Sequence, residues 1–124
     1  VVAATNLFGD IISDQAAGLA GGIGVAPSLN AGVDHAMAQA VHGTAADIAG
    51  KGVANPTALI LSTALLLRWY DQSRNYPECG KAADLMESGV AKAFAADVLT
   101  SDLNGSSSTS EFGKAVIKNM GTDS

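Results

Sequence analysis

His42-Gly43-Thr44-Ala45-Ala46-Asp47-Ile48-Ala49-Gly50-Lys51-Gly52-Val53-Ala54-Asn55-Pro56 is the stretch on which the reading of this chain turns. Its small residues and glycines let backbone come close to a ligand or to another segment. Among them stand His42, Asp47 and Asn55, three polar side chains with different sets of donors and acceptors. The stretch closes on Asn-Pro and runs directly into the apolar segment 57–67. Asn at the cap and Pro at the first helical position is how a helix begins. A small-residue loop ending at a helix N-terminus presents free N–H groups to a nucleotide. The plain alternative is a connecting loop, but this one is long and places its polar groups at intervals.

The same residues resemble the adenosine-binding loop of the metal-dependent β-decarboxylating dehydrogenases, the isocitrate and 3-isopropylmalate dehydrogenase family. The family pattern is H-G-[ST]-A-P-D-I-A-G-K-x-x-A-N-P, and the chain departs from it only at Ala46, where proline is usual. That change loosens the loop without removing a ligand group. The resemblance implies that His42 lies against the adenine and that Gly43, Thr44 and Ala45 line the nucleotide. It also implies that Asn55 meets the base edge. Asp47 and Ile48 stand where NADP-using relatives commonly place Lys and Tyr, so the implied cofactor is NAD. A carboxylate at position 47 accepts from a free ribose 2′-hydroxyl and repels a 2′-phosphate.

A second motif lies upstream, Asn6-Leu7-Phe8-Gly9-Asp10-Ile11-Ile12-Ser13-Asp14. Asp10 and Asp14 are four apart, which on a helix sets them on one face with Cβ atoms about 5–6 Å apart. Spacing alone also fits two solvated acids near a helix N-terminus, where the dipole favours them. The motif is similar to the metal motif of the same family, and there the two aspartates fall on ligands to Mg²⁺ or Mn²⁺, cations that prefer carboxylate oxygen. A third carboxylate comes from the partner subunit in that family, so a homodimeric parent is implied.

Composition sets the outer bounds. The chain has 124 residues and a net charge of −5, with 12 acidic and 7 basic residues and no basic cluster. Nucleic acid and anionic membrane are poor partners for such a surface. The run 58–67 is broken by Ser62 and Thr63 and is too short to span a bilayer. One cysteine, Cys79, excludes an internal disulfide and fits a reducing compartment, cytoplasm or mitochondrial matrix. It reads as an unpaired thiol in a turn.

The remaining expectations concern elements. Residues 1–5 read as a strand end. The helix bearing Asp10 and Asp14 should stop near Gly21 or Gly22. Gly22-Ile23-Gly24 lacks the strand-turn-helix context of a Rossmann fingerprint, and Gly24 is a candidate backbone contact to the cofactor. Residues 26–30 read as a turn and 34–41 as extended. A helix over 56–70, apolar nearly all round, should be buried on most sides, with Arg68 in its last turn. Residues 71–80 should break it. A further helix over 81–96 should bury Ala82, Leu85, Met86, Val90 and Phe94. Ser108 and Glu111 form a capping box for a last helix over 110–120.

The fold class expected is therefore α/β, the C-terminal portion of the isocitrate/isopropylmalate dehydrogenase fold, mostly helical with short strands. All of 1–124 falls in one dehydrogenase chain on this reading. The implied reaction is the oxidative decarboxylation of a 2-hydroxy di- or tricarboxylic acid. The substrate arginines and the Tyr/Lys acid–base pair of the family lie upstream, so no catalytic residue beyond the metal ligands falls here, and the isolated chain is expected to be inactive. His35, Arg68, Arg74, Tyr70 and Tyr76 read as surface or packing residues. A regulatory subunit or pseudoenzyme of the same fold is the alternative, left open by Ala46 and by Gln39, where the family usually has Glu.

Overall fold

A computed structural model describes residues 2–121. Three helices form the body. They are α2 (Thr57–Arg74), α3 (Pro77–Ala95) and α4 (Thr109–Met120), with α3 packed against both of the others. Their core is Val90, Ala93, Phe112 and Val116, with Ile60, Leu61, Phe94, Val98, Ala115 and Met120 closing around it. The rings of Phe94 and Phe112 meet at 5.6 Å with a 45° tilt, within the range in which offset aromatic pairs attract. The helix crossing is close. A Cβ placed on Gly89 would lie 2.9 Å from the Val116 carbonyl oxygen.

A two-stranded antiparallel hairpin lies on α2, β1 (Pro27–Ala31) paired with β2 (Ala36–Ala40). Pro27 faces Ala40, and Leu29 faces Ala38. Buried Ser62 of α2 joins helix to hairpin. Its hydroxyl accepts from the Ser28 N–H at 3.2 Å and lies within donating reach of the Gln39 carbonyl at 2.8 Å and the Ala58 carbonyl at 2.7 Å. Helix α1 (Asn6–Ala20) stands apart at the start. It buries only Ala17 and packs on the short 3₁₀ turn Ile23–Val25.

Several sequence expectations need correction. Residues 2–5 form no strand, and Val1 lies outside the described residues. Residues 27–31 are a strand rather than a turn. Pro27 misleads because proline is tolerated at the first residue of a strand. Helix α2 continues to Arg74, so Arg68 is interior and instead pairs across to α3, at 3.0 Å from Asp84 and 2.7 Å from Glu87. The break is short. Asn75 adopts the left-handed region at φ 57°, and Pro77 restarts the chain as the first residue of α3, the Asn stop and Pro start that favour such a junction. Cys79 is thus in the first turn of a helix. Its helix buries Gly80, Ala83, Gly89, Val90 and Ala93, while Leu85 is exposed. Nor is α2 covered on most sides. Its buried residues are Thr57, Ala58, Ser62 and Ala64, and Leu59 is 57% exposed.

The remaining boundaries agree with expectation. Helix α1 stops at Gly21, whose φ of 129° suits glycine. The capping box is present at α4. Asn55 begins α2 by accepting the Thr57 N–H on its Oδ1 at 3.0 Å, with Pro56 counted just outside the first turn. No helix of the described residues is long and apolar enough to cross a membrane.

Candidate functional site

The loop 42–55 does not lie flat on the body. It walls a cavity of about 700 Å³, whose other sides come from the Ile23–Val25 turn, the turn Ser101–Leu103 and the N-terminus of α4. His42, Gly43, Thr44, Ala45, Ile48 and Asn55 line it, as does Gly24. Asp47 does not. It is exposed in the single 3₁₀ turn Ala46–Ile48, between two lining residues.

Local backbone explains the loop's shape. Ala45 sits in the left-handed region at φ 45°, ψ 53°, a conformation that costs a residue with a Cβ about 1 kcal/mol or more. From there the chain turns through residues 46–48, the Ile48 N–H returning to the Ala45 carbonyl at 3.0 Å. The far end is tied to α4. The Thr109 N–H donates to the Gly52 carbonyl at 2.8 Å, and the Thr109 hydroxyl to the Ala54 carbonyl at 2.5 Å. His42 is exposed, and its Nδ1 meets the Gly43 carbonyl at 3.0 Å. In the tautomer selected by this contact, Nδ1 carries the proton and Nε2 is left as an acceptor.

The polar floor of the cavity was not foreseen from the sequence. Asp102 lines it, accepting from Asn55 Nδ2 at 3.0 Å on one oxygen and from the Thr100 hydroxyl at 2.5 Å on the other. Ser101, Thr109 and Ser110 complete that side. The signal was present in Thr100-x-Asp102, a common turn-forming pair, but nothing in a linear reading placed it opposite Asn55. Among the described residues no lysine or arginine lines the cavity. The surface it offers is loop backbone, small and apolar side chains and hydroxyls, with a carboxylate, an amide and an imidazole. Such a surface suits a planar heterocycle and neutral hydroxyls better than an exposed phosphate.

Asp10 and Asp14 both fall on α1, four residues apart, and both are exposed. Their oxygen donors fit a hard divalent cation, though two carboxylates supply a minority of the six or more ligands such an ion takes. Among the described residues no group of three His, Cys, Asp or Glu side chains could hold a metal ion. The pair is thus a partial donor set.

Comparison with known proteins gives a consistent answer. The family described as isocitrate/isopropylmalate dehydrogenase matches residues 1–116. The 3-isopropylmalate/3-methylmalate dehydrogenase of Methanocaldococcus jannaschii is 46% identical over 97% of this chain and 34% of its own length. The mitochondrial protein of Arabidopsis thaliana named isocitrate dehydrogenase [NAD] catalytic subunit 5 is 46% identical over 97% of this chain and 31% of its own. Among solved structures, isocitrate dehydrogenase from Methylococcus capsulatus superposes with a TM-score of 0.80 at 40% identity, covering 93% of this chain and 33% of that one. The chain spans about a third of the length of the relatives it matches.

Proposed function

This chain belongs to the isocitrate/isopropylmalate dehydrogenase family, and from that premise we propose that it forms the adenosine-binding and part of the metal-binding portion of an NAD-dependent β-decarboxylating dehydrogenase. The substrate is a 2-hydroxy di- or tricarboxylic acid of the isocitrate or 3-isopropylmalate class. One observation carries the reading: six of the seven residues picked out for the nucleotide line a single cavity of about 700 Å³.

In this scheme each residue has a limited task. The loop backbone from Gly43 to Ala45 and the Ile48 side chain enclose the adenosine, His42 covers the base, and the Asn55 amide addresses its edge. Asp47 accepts from the ribose 2′-hydroxyl at the exposed side. Two features support NAD over NADP: the carboxylate at position 47, and a cavity without a cationic side chain to meet a 2′-phosphate. The relative named for NAD is consistent with that choice. Asp10 and Asp14 contribute carboxylate oxygens to Mg²⁺ or Mn²⁺. When bound, the dinucleotide would supply the hydride acceptor for the 2-hydroxy carbon and the cation the electrostatic stabilisation that decarboxylation needs. The remaining ligands and the acid–base groups come from outside these residues, and a homodimer supplies one of the carboxylates.

The test uses the protein that contains this chain. Oxidation of isocitrate and of 3-isopropylmalate is assayed with NAD across Mn²⁺ concentrations, for wild type and for Asp10→Asn and Asp14→Asn. The expected result is a metal-dependent rate lost in both variants while NAD binding persists. A variant with the wild-type rate and metal dependence would remove the metal assignment.

A further inference from the structure

We propose that Asp102 is the positioning residue of the nucleotide cavity: its carboxylate fixes which way the Asn55 amide faces, and Gly24 is glycine to leave room for it. The proposal rests on the adenosine reading of the cavity and goes beyond it by assigning a residue outside the loop.

An asparagine side chain presents a carbonyl on one edge and an amino group on the other, and the two are nearly equal in shape. Left alone, Asn55 would show a base edge either face. Here both ends are committed. Oδ1 accepts the Thr57 N–H at 3.0 Å, and Nδ2 donates to Asp102 Oδ2 at 3.0 Å. A flip would place two N–H donors against each other and the carbonyl against a carboxylate, so it is excluded on both sides at once. The second N–H of Nδ2 and the second lone pair of Oδ1 remain for a ligand. Asn55 is only 9% exposed and Thr100 is fully buried, so Asp102 is held by groups that water does not readily replace.

Gly24 supplies the steric half. A Cβ built on it would lie 2.8 Å from Asp102 Oδ2 and 3.6 Å from Asn55 Cβ. Any other residue would push the carboxylate away from Asn55. Three segments distant in sequence thus meet at one carboxylate, and all three line the cavity.

The experiment uses the whole chain and adenosine 5′-monophosphate as probe, followed by NMR with the Asn55 side-chain amide pair assigned. Asp102→Ala should weaken binding by about tenfold, the order expected for losing a part-buried charge-assisted hydrogen bond. It should also move the Asn55 amide-proton shifts of the free protein towards those of a solvent-exposed asparagine side chain. Asp102→Asn should restore both, because its carbonyl can accept from Asn55 while its amino group donates to the Thr100 hydroxyl. A merely structural role would not single out the Asn55 amide signal, nor be rescued by an isosteric change of charge. Should Asp102→Ala not fold, Gly24→Ala displaces the same carboxylate without deleting it and should weaken binding in the same direction. Wild-type binding unaltered in folded Asp102→Ala or Gly24→Ala overturns the positioning role alone. Absence of binding by the wild-type chain, with the Asn55 signature intact, overturns the nucleotide reading and this assignment with it.

Discussion

Gly89 of α3 lies so near Val116 of α4 that an added methyl would stand 2.9 Å from the Val116 carbonyl oxygen and 3.2 Å from its Cγ1. Backbone cannot move aside as a flexible side chain can, so the crossing distance of the two helices is set by this missing Cβ. Gly89→Ala should therefore destabilise the chain by about 1–3 kcal/mol, the usual cost of overpacking a close-packed site. This is despite alanine's better helix propensity, which offsets about 1 kcal/mol at most. Chemical denaturation followed by circular dichroism measures it. An unchanged or raised midpoint would show that the helices separate freely.

Ser62 concentrates the hairpin's attachment in one hydroxyl, between the Ser28 N–H and the Gln39 carbonyl. Ser62→Ala should cost about 1–3 kcal/mol, since it strips polar groups of both strands of a partner at a buried position. The measurement is amide exchange at residues 27–31 and 36–40, which should accelerate before that of α3.

Glu111 gives a pH dependence with a definite sign. Its carboxylate accepts the Ser108 N–H at 2.8 Å and lies 2.8 Å from the Ser108 hydroxyl. The backbone contact first, then the hydroxyl, holds it below the usual carboxylate range. A carboxyl group lowered on folding stabilises the fold above its unfolded value, and that contribution is lost as pH falls through the lowered one. Thermal midpoints should therefore fall from pH 5 to about pH 3, and Glu111→Gln, which keeps the capping geometry, should flatten part of that slope. A slope identical in wild type and Glu111→Gln would contradict it.

The cofactor prediction follows from position 47. In the parent enzyme, wild type should prefer NAD. Asp47→Lys combined with Ile48→Tyr should move the ratio of kcat/KM towards NADP by about 1–3 kcal/mol of differential binding. Because Asp47 is exposed rather than enclosed, the shift should shrink as salt is raised. A wild-type preference for NADP would refute the reading.

Legibility divided along physical lines. The gathering of six loop residues at one cavity and the shared helix of Asp10 and Asp14 were legible because each set is contiguous in sequence. The capping box and the Gly21 stop were legible because each is a local rule. Strand β1 was not, since Pro27 and Asn30 carry turn chemistry and the pairing with β2 that overrides it is not written locally. The end of α2 was hidden because its apolar run stops at Leu67 while the helix continues through polar residues to Arg74, and only then do Asn75 and Pro77 mark the junction. Burial on α2 was misjudged because the helix packs through small residues, Ala58, Ser62 and Ala64, while large Leu59 faces out. Asp102 was out of reach: its meaning arises from Asn55, 47 positions away.

Helix α1 carries both candidate metal ligands yet is the α-helix least tied to the rest, with Ala17 its one buried side chain and Leu7, Phe8 and Leu19 each more than half exposed. Such an element opens on its own at low free energy, ahead of the three-helix core. A cation that needs Asp10 and Asp14 together meets them aligned only for the fraction of time the helix is closed, and its apparent affinity falls by that fraction. On the proposed metal reading, covering the outward face of α1 would therefore tighten cation binding without adding a single ligand.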